Sequence, residues 1–277
     1  MVSNCVRRML NITFLLAKSC TLGLILVATG YDEEDYDYNA FDYDNYFYQS
    51  AASNDCEVID IQDTERTCAN IPSYPISMWT GSGGIVTGIP VICGGELYDQ
   101  GYEAKKMSDT CYAFNITTNS WVLLAKLARQ RSDFASAPIK DALWITGGKV
   151  RTSVDEVIES EDASTEFVHV NGSISPGPNL PSARDHHCMV TLHDNQIMIL
   201  GSDGGTTDAK NVVIYNPETG TFKSAPSTLY NRNGAGCAVF YSPLHNNRPM
   251  VIVAGGRDVS TTEIFDYTHA KTWEESE

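Results

Sequence analysis

The pentapeptide VICGG at residues 91–95 is the first of four apolar runs that end in a pair of small residues. Its counterparts are WITGG at 144–148, MILGS at 198–202 and IVAGG at 252–256. The leading glycines, Gly94, Gly147, Gly201 and Gly255, are separated by 53, 54 and 54 residues. Self-similarity at a constant period of about 50 residues indicates a repeat fold in which each unit is one supersecondary structure.

Each repeat unit contains the same order of apolar segments. An alternating segment such as HHCMVTL (186–192) comes first, and the run that ends in the small pair follows it. A third apolar segment such as NVVIY (211–215) precedes the polar turn NPETG (216–220) and a fourth segment that often carries an aromatic residue. Alternating segments bounded by turn residues are typical of strands, so the pattern predicts four antiparallel strands in each unit.

A sheet of four such strands has two apolar faces, and stacking like sheets around an axis buries both. We therefore predict an all-β chain that folds as a β-propeller. The glycine pairs fit this prediction, because glycine adopts a positive φ without strain and lets two backbones approach closely. Trp121, Phe222 and Trp273 occupy equivalent places in their units and are expected to pack between neighbouring sheets.

Three features together resemble the kelch repeat: the strand ending in Gly-Gly, the tyrosine in the third strand, and the tryptophan after the polar turn. The resemblance covers residues 56–273. It is weaker where the WITGG unit has no aromatic residue at the tryptophan position and where Ser202 replaces the second glycine. It implies a kelch-type propeller of four-stranded antiparallel blades, and the secreted type of the family is the most similar.

Counting units predicts about four and a half blades. Residues 56–81 are assigned to a half blade with the two outer strands, and the complete blades are expected at 82–130, 131–183, 184–230 and 231–277. Kelch propellers usually close with six or seven blades, and an open ring exposes sheet edges. A truncated sequence is therefore favoured, while an oligomer and a smaller closed ring are the alternatives.

The first 30 residues have the layout of a secretory signal peptide. Arg7 and Arg8 precede an apolar stretch, and small residues lead up to Gly30, after which cleavage is predicted. The alternative is an uncleaved anchor over residues 9–29. Cleavage would make the protein secreted, with no membrane attachment.

An acidic, tyrosine-rich block follows at residues 31–48, with six tyrosines, seven carboxylates and no lysine or arginine. Its like charges predict a disordered segment over residues 31–55. Tyrosines beside acids resemble sulfation sites, which makes the segment a candidate ligand for basic proteins. A plain solvated linker is the alternative. The candidate sulfation sites are Tyr31, Tyr36, Tyr38, Tyr43, Tyr46 and Tyr48.

The formal net charge of −16 disfavours binding to nucleic acids and anionic lipids. In an oxidising compartment the six cysteines beyond residue 30 point to disulfides. Cys56 with Cys68, and Cys93 with Cys111, are predicted pairs because each pair lies on neighbouring antiparallel strands. Cys188 and Cys237 lie on matching first strands, where a disulfide and two buried thiols are both open.

Beyond the predicted signal peptide, which contains a sequon at Asn11, two glycosylation sequons begin at Asn115 and Asn171, each in the turn after a third strand. His186 and His187 are adjacent on a strand and point to opposite faces, so no metal site is predicted there. The chain has neither a nucleophile elbow nor a phosphate-binding glycine loop. The expectation is a non-enzymatic protein without a cofactor.

The sequence thus predicts a secreted propeller that binds other proteins through its inter-strand loops. An extracellular enzyme of the copper-oxidase type and a carbohydrate-binding protein are the alternatives on the same fold. The longest loops are 96–108 and 149–164. They supply the candidate partner-binding residues Tyr98, Tyr102, Lys105, Lys106 and Arg151.

Overall fold

A computed structural model describes residues 9–10, 13–16, 24–32, 51–60, 68–97, 106–151, 159–203 and 207–276. These residues form strands and two short 3-10 helices, so the predicted all-β class is confirmed. In this part of the chain no helix has the length and apolar character needed to cross a membrane. The chain divides into two compact units: Met1–Ser132 with Arg151–Ile158 and Val170–Gly172, and Asp133–Val150 with Glu159–His169 and Ser173–Glu277.

The first unit contains two large antiparallel sheets and a short one. In one large sheet the strand order is β1-β3-β4-β5, with β2 also paired to β3; in the other it is β12-β11-β8-β7; the short sheet is β10-β9-β6. The strands are β1 Met9–Leu10, β2 Thr13–Leu16, β3 Leu24–Asp32, β4 Ala51–Asp60, β5 Cys68–Ile71, β6 Met78–Trp79, β7 Ser82–Val86, β8 Ile89–Cys93, β9 Glu96–Leu97, β10 Lys106–Met107, β11 Thr110–Asn115, β12 Ser120–Lys126 and β13 Arg131–Ser132.

The N-terminal sheet differs from the prediction. β3 pairs antiparallel with β4, with Leu26 opposite Val58, and β2 pairs with β3. The strands β1 to β5 therefore form a five-stranded sheet, where the sequence predicted a half blade with two strands. Leu24–Asp32 is a strand that includes the end of the predicted signal peptide, and residues 51–55 of the strand Ala51–Asp60 lie in the segment predicted to be disordered. Cleavage after Gly30 stays a prediction. This unit was not recognised in the sequence, because a long acidic insertion separates β3 from β4. As a result Gly30, at the end of the apolar run, does not follow the 53–54-residue period of the other glycines.

The predicted pairing of Cys56 with Cys68 does not fit the register of this sheet. Cys56 lies opposite Ile71, and Cys68 lies opposite Ile59. The two cysteines are thus offset by three residues along the strands, which exceeds the Cα separation of about 7 Å that a disulfide can span.

The second unit contains three four-stranded antiparallel sheets, with orders β14-β15-β18-β19, β20-β21-β22-β23 and β24-β25-β26-β27. The predicted strand order within each repeat is therefore confirmed. The strands are β14 Ala135–Ile139, β15 Ala142–Thr146, β16 Lys149–Arg151, β17 Glu159–Glu161, β18 Thr165–His169, β19 Ile174–Pro176, β20 Cys188–Thr191, β21 Ile197–Leu200, β22 Val212–Asn216, β23 Thr221–Ala225, β24 Gly236–Ser242, β25 Arg248–Ala254, β26 Thr262–Phe265 and β27 Glu274–Ser276. The 3-10 helices are Thr207–Lys210 and Pro243–His245.

Apolar layers separate the sheets of the second unit. Strand β21 is buried on both faces, because Ile199 packs against the sheet before it and Leu200 against the sheet after it. Phe222 and Trp273 lie in these two layers, as predicted from their equivalent positions. Burying such a side chain contributes about 1.5–3 kcal/mol, so the layers between sheets are the main source of stability.

Trp144 supplies the aromatic residue that the WITGG unit lacks on its fourth strand. It lies on β15, is fully buried, and its ring centroid is 4.5 Å from that of Tyr215 and 5.9 Å from that of Phe167. An aromatic residue on the second strand therefore fills the same layer from a different position.

The glycine pairs allow one sheet to approach the backbone of the next. Gly147 has φ +60, and a Cβ there would lie 2.5 Å from the carbonyl oxygen of Arg184. Gly201 has φ +82, and its Cβ would lie 2.0 Å from the carbonyl oxygen of Arg232. Both reasons predicted for these glycines, a left-handed backbone and a close approach, are therefore present.

Candidate functional site at the glycine-pair end of the sheets

Two recurring positions place polar side chains at one end of each sheet in the second unit. One is the residue directly after the small pair: Lys149, Asp203 and Arg257. The other lies two residues before the first strand: Asp133, His186 and Gly234. In an antiparallel sheet the first strand begins where the second ends, so both positions lie at the same end. We call this the glycine-pair end.

The backbone is left-handed at the position before the first strand. The φ angles are +53 at Asp133, +48 at His186 and +66 at Gly234. The His186 N–H donates to the Asp133 carbonyl at 2.8 Å, and the Gly234 N–H donates to the His186 carbonyl at 2.8 Å. A non-glycine residue in this conformation costs about 1–2 kcal/mol, so the side chains of Asp133 and His186 are retained against a backbone penalty.

His186 lies at the centre of a mixed-charge group. Its Nε2 is 3.2 Å from Asp133 Oδ1, and its Nδ1 is 3.3 Å from Asp185 Oδ2 and 3.9 Å from Asp203 Oδ2. Lys149 Nζ is 3.5 Å from an oxygen of Asp133 and 3.5 Å from an oxygen of Asp185. We call these five residues, Asp133, Lys149, Asp185, His186 and Asp203, the glycine-end cluster.

The cluster has a buried base and an accessible rim. The side chains of Asp133 and Asp185 are 4% and 2% exposed, whereas those of Lys149, His186 and Asp203 are 28%, 25% and 33% exposed. Asp203 extends the rim, since its Oδ1 accepts a hydrogen bond from Asn233 Nδ2 at 2.6 Å. A ligand would therefore meet an imidazole, an ammonium and a carboxylate above two buried carboxylates.

Electrostatics favour the charged forms of the cluster. Burial opposes the charge on His186, but the carboxylates of Asp185 and Asp133 raise its pKa. Burial likewise opposes the charge on Lys149, and the same two carboxylates raise its pKa. Burial would raise the pKa of Asp185, whereas His186 and Lys149 lower it. Each ionised group therefore stabilises its neighbours in the charged form.

Buried arginines recur before the first strands, and none of them was predicted from the sequence. Arg131, Arg184 and Arg232 lie four residues before a first strand and are at most 1% exposed. Arg184 Nη1 donates to the carbonyls of Gly201 and Asn211, at 3.2 and 2.8 Å. Each arginine recurs at a fixed offset from its strand, and that offset is a signal readable from the sequence.

His187 lies behind the cluster and is buried. Its Nε2 is 2.8 Å from Thr146 Oγ1. Burial, together with the charge of Arg184, lowers the pKa of His187 to about 3. The folded protein therefore holds this imidazole neutral.

We expect this histidine to make stability fall in mild acid. Its folded pKa lies below its unfolded value, so the unfolded chain takes up the proton first and stability is lost as the pH drops below about 6.5. Between pH 6 and pH 5 the loss attributable to His187 is about 1 kcal/mol. Urea unfolding of the protein and of His187→Gln at the two pH values measures it. Equal pH dependence in both proteins contradicts the assignment, and His269→Ala, which removes an exposed histidine, is the control.

The first unit has the same two positions. Thr80 is left-handed, with φ +52, two residues before β7. Glu96 follows the small pair, is buried, and its Oε2 accepts a hydrogen bond from Trp79 Nε1 at 2.8 Å. Here the charged residue after the glycine pair has a structural role inside the unit.

Most of the predicted partner-binding and sulfation residues lie outside the described part of the chain. This holds for Tyr36, Tyr38, Tyr43, Tyr46, Tyr48, Tyr98, Tyr102 and Lys105. Tyr31 lies in β3, opposite Ala52. Lys106 is exposed on β10, and Arg151 is half-buried at the end of β16.

The predicted glycosylation sites are accessible. Asn115 and Asn171 are both exposed, Asn115 at the end of β11 and Asn171 in the turn after β18. The Oδ1 of Asn115 accepts a hydrogen bond from the Thr117 N–H at 3.0 Å, which shapes the turn. Glycosylation itself stays a prediction.

Two disulfides are present among the described residues. Cys93 and Cys111 are opposite each other on β8 and β11 and form the predicted disulfide. Cys188 and Cys237, for which two buried thiols were an equal alternative, are also bonded, with a Cα separation of 6.2 Å. The second disulfide joins the first strands of two successive sheets.

Comparison with known proteins supports the fold. No protein-family profile matches the chain. A stretch of 150 residues is 27% identical to spermatocyte protein spe-26 of Caenorhabditis elegans and covers 53% of this chain and 25% of that protein. The chain thus spans about a quarter of the length of this curated relative.

The solved structure titled "Structure of YjhT" matches with a TM-score of 0.71 over 98% of this chain and 84% of the other, at 10% identity. An identity this low shows a shared fold alone.

Proposed function

We propose that the chain is a kelch-type β-propeller that acts as a non-enzymatic, secreted binding protein. Its partner is a protein, engaged at the glycine-pair end of the sheets. The observation that carries this proposal is the glycine-end cluster, in which side chains from two successive sheets and the loops after their glycine pairs converge at one accessible place.

The backbone at this end favours recognition over catalysis. The cluster is held by left-handed residues and by backbone hydrogen bonds from one sheet to the next, so its geometry is preorganised. Each of its five ionisable side chains has an oppositely charged neighbour within 4 Å when His186 is protonated. Compensated, partly exposed charges confer specificity for a complementary partner surface.

The disulfides support an extracellular location. Bonds such as Cys93–Cys111 and Cys188–Cys237 persist in oxidising compartments and are rare in the cytosol. The acidic residues 31–48 give the protein a second region that attracts basic partners.

Photo-crosslinking from the two ends of a sheet tests the binding role. A benzophenone amino acid at position 257 lies at the glycine-pair end, where Arg257 is exposed. The same probe at position 244 lies in the turn between β24 and β25 at the other end, where Leu244 is 92% exposed. We expect discrete protein adducts on intact cells from position 257 only, and unlabelled protein should compete them away. Adducts of equal yield from both positions, or from neither, would overturn the proposal.

Mass spectrometry of the purified protein tests the N-terminal sheet. Because Leu24–Asp32 pairs with both β2 and β4, we expect residues 24–30 to be retained. Peptides that cover this segment, in stoichiometric amount, are the expected result. A mature N-terminus at Tyr31 would show that the segment is a cleaved signal and that this sheet lacks its central strand.

A further inference from the structure

Three side chains of the glycine-end cluster have the geometry of a metal-binding site. Asp185, His186 and Asp203 each present one ligand atom, and these atoms all lie within 4.8 Å of one another. Asp185 and His186 precede β20, and Asp203 follows β21, so the three come from the same end of one sheet. Two carboxylate oxygens and one imidazole nitrogen are ligands that Zn²⁺ accepts.

The histidine is oriented as a ligand. Its Nε2 faces Asp133 Oδ1 at 3.2 Å, which is the arrangement in which a carboxylate behind a metal-bound histidine fixes the ring and its tautomer. Its Nδ1 is shielded from solvent and makes no hydrogen bond of ordinary geometry. That nitrogen instead faces the carboxylate oxygens of Asp185 and Asp203, at 3.3 and 3.9 Å.

The Nδ1 atom of His186 and the Oδ2 atoms of Asp185 and Asp203 converge on one place, which a divalent cation can occupy. Lys149 Nζ lies 3.5 Å from the same Asp185 oxygen that faces Nδ1, so its ammonium compensates part of the carboxylate charge there.

We propose that Asp185, His186 and Asp203 form a Zn²⁺ site, with His186 binding through Nδ1. Asp133 is a positioning residue that orients the imidazole, and the Lys149 ammonium competes with the metal for Asp185. The remaining coordination positions face the accessible rim, where water or a partner's side chain completes them. The site does not depend on the proposed protein-binding role, because a metal can bind whether or not this end engages a protein.

The arrangement of the ligands explains why no metal site was predicted from the sequence. His186 and His187 diverge, as predicted from their adjacency, and only His186 takes part. Asp203 lies 17 residues further along the chain and reaches the histidine only because the turn after Ser202 brings it back beside Asp185. Its backbone N–H donates to the Asp185 carbonyl at 3.0 Å, which holds the two carboxylates together.

Isothermal titration of the chelator-treated full chain with ZnCl₂ tests the proposal. We expect one Zn²⁺ per chain, and at least a tenfold loss of affinity in His186→Asn, which keeps a residue tolerant of the left-handed backbone. Asp203→Asn should weaken binding similarly. Lys149→Met, which removes the competing ammonium, should tighten it several-fold.

His269→Ala is the matched control, because His269 also lies beside a carboxylate, with Nδ1 3.4 Å from Asp266, but is largely exposed. It should leave the affinity unchanged. Circular dichroism of every variant shows whether it is folded, and the Lys149→Met gain cannot come from misfolding. Binding that His186→Asn and Lys149→Met leave unaltered means an adventitious ion only and overturns the site, as does the absence of binding. Either outcome leaves the crosslinking result at position 257 untouched, so the two proposals fail separately.

Discussion

Replacing Arg232 with methionine is expected to lower the free energy of unfolding by about 3–5 kcal/mol, because it leaves a buried carboxylate without its counter-charge. Arg232 and Glu263 are both fully buried, and their Nη2 and Oε1 atoms are 2.6 Å apart. Arg232 Nη1 also donates to the carbonyls of Gly255 and Thr261, at 2.7 and 2.8 Å. The side chain thus holds the end of β25 to the start of β26.

The double variant Arg232→Met with Glu263→Leu separates the charge effect from the packing effect. It removes both buried ions, so it should recover part of the lost stability. Recovery will be incomplete, because Glu263 also accepts hydrogen bonds from the N–H groups of Leu229 and Tyr230. Urea unfolding gives the free energy of unfolding of the unmodified protein, of Arg232→Met and of the double variant. A loss below about 1 kcal/mol in the single variant would show that the ion pair contributes little.

Gly201→Ala is expected to cost about 3 kcal/mol, from a left-handed backbone and a steric overlap together. The added methyl group would lie 2.0 Å from the carbonyl oxygen of Arg232, which belongs to the next sheet. That backbone cannot withdraw without moving the first strand that follows it. The substitution therefore tests whether the glycine pairs are contact points between sheets.

Gly220→Ala is the matched control for this substitution. Gly220 also has a left-handed backbone, with φ +69, but a Cβ there meets nothing within 4 Å. It should cost only about 1 kcal/mol. Thermal unfolding of both variants gives the comparison. Equal losses would mean that backbone conformation alone explains the glycine at position 201.

The period of the glycine pairs was sufficient to predict the sheets, since the leading glycine of each pair has a left-handed backbone, and Gly147 and Gly201 also lie against the backbone of the next sheet. Phe222 and Trp273 followed from the same register and lie between sheets as predicted. Trp144 could not be placed this way, because an aromatic residue on a second strand is indistinguishable from any other apolar residue of a buried strand. The repeat therefore predicts where each layer forms but not which strand fills it.

The N-terminal sheet was missed because two patterns coincide in it. A short apolar run after Arg7 and Arg8 is typical of a signal peptide, and Leu24–Asp32 is also an apolar strand that ends near a glycine. The strand is recognised only through its pairing with Ala51–Asp60, across the acidic residues 33–50. That pairing is long-range and has no local signature.

The glycine-end cluster also could not be predicted from the sequence, for a different reason. Arginine is rarely buried, so Arg184 was not expected inside the protein, although its fixed offset from the first strand could have marked it. The approach of Asp203 to His186 depends on the path of the chain after the glycine pair. The pattern marks where a loop begins, but the direction of its side chains is set by tertiary contacts.

The affinity of this protein for the partner that is crosslinked at position 257 tests the binding role most directly. Surface plasmon resonance should give at least a tenfold higher Kd for Asp203→Lys, which reverses a charge at the rim of the cluster. Lys223→Glu reverses an exposed charge on the outer strand β23 and should leave the Kd unchanged. An unaltered Kd for Asp203→Lys, or an equal change in both variants, would contradict recognition at the glycine-pair end.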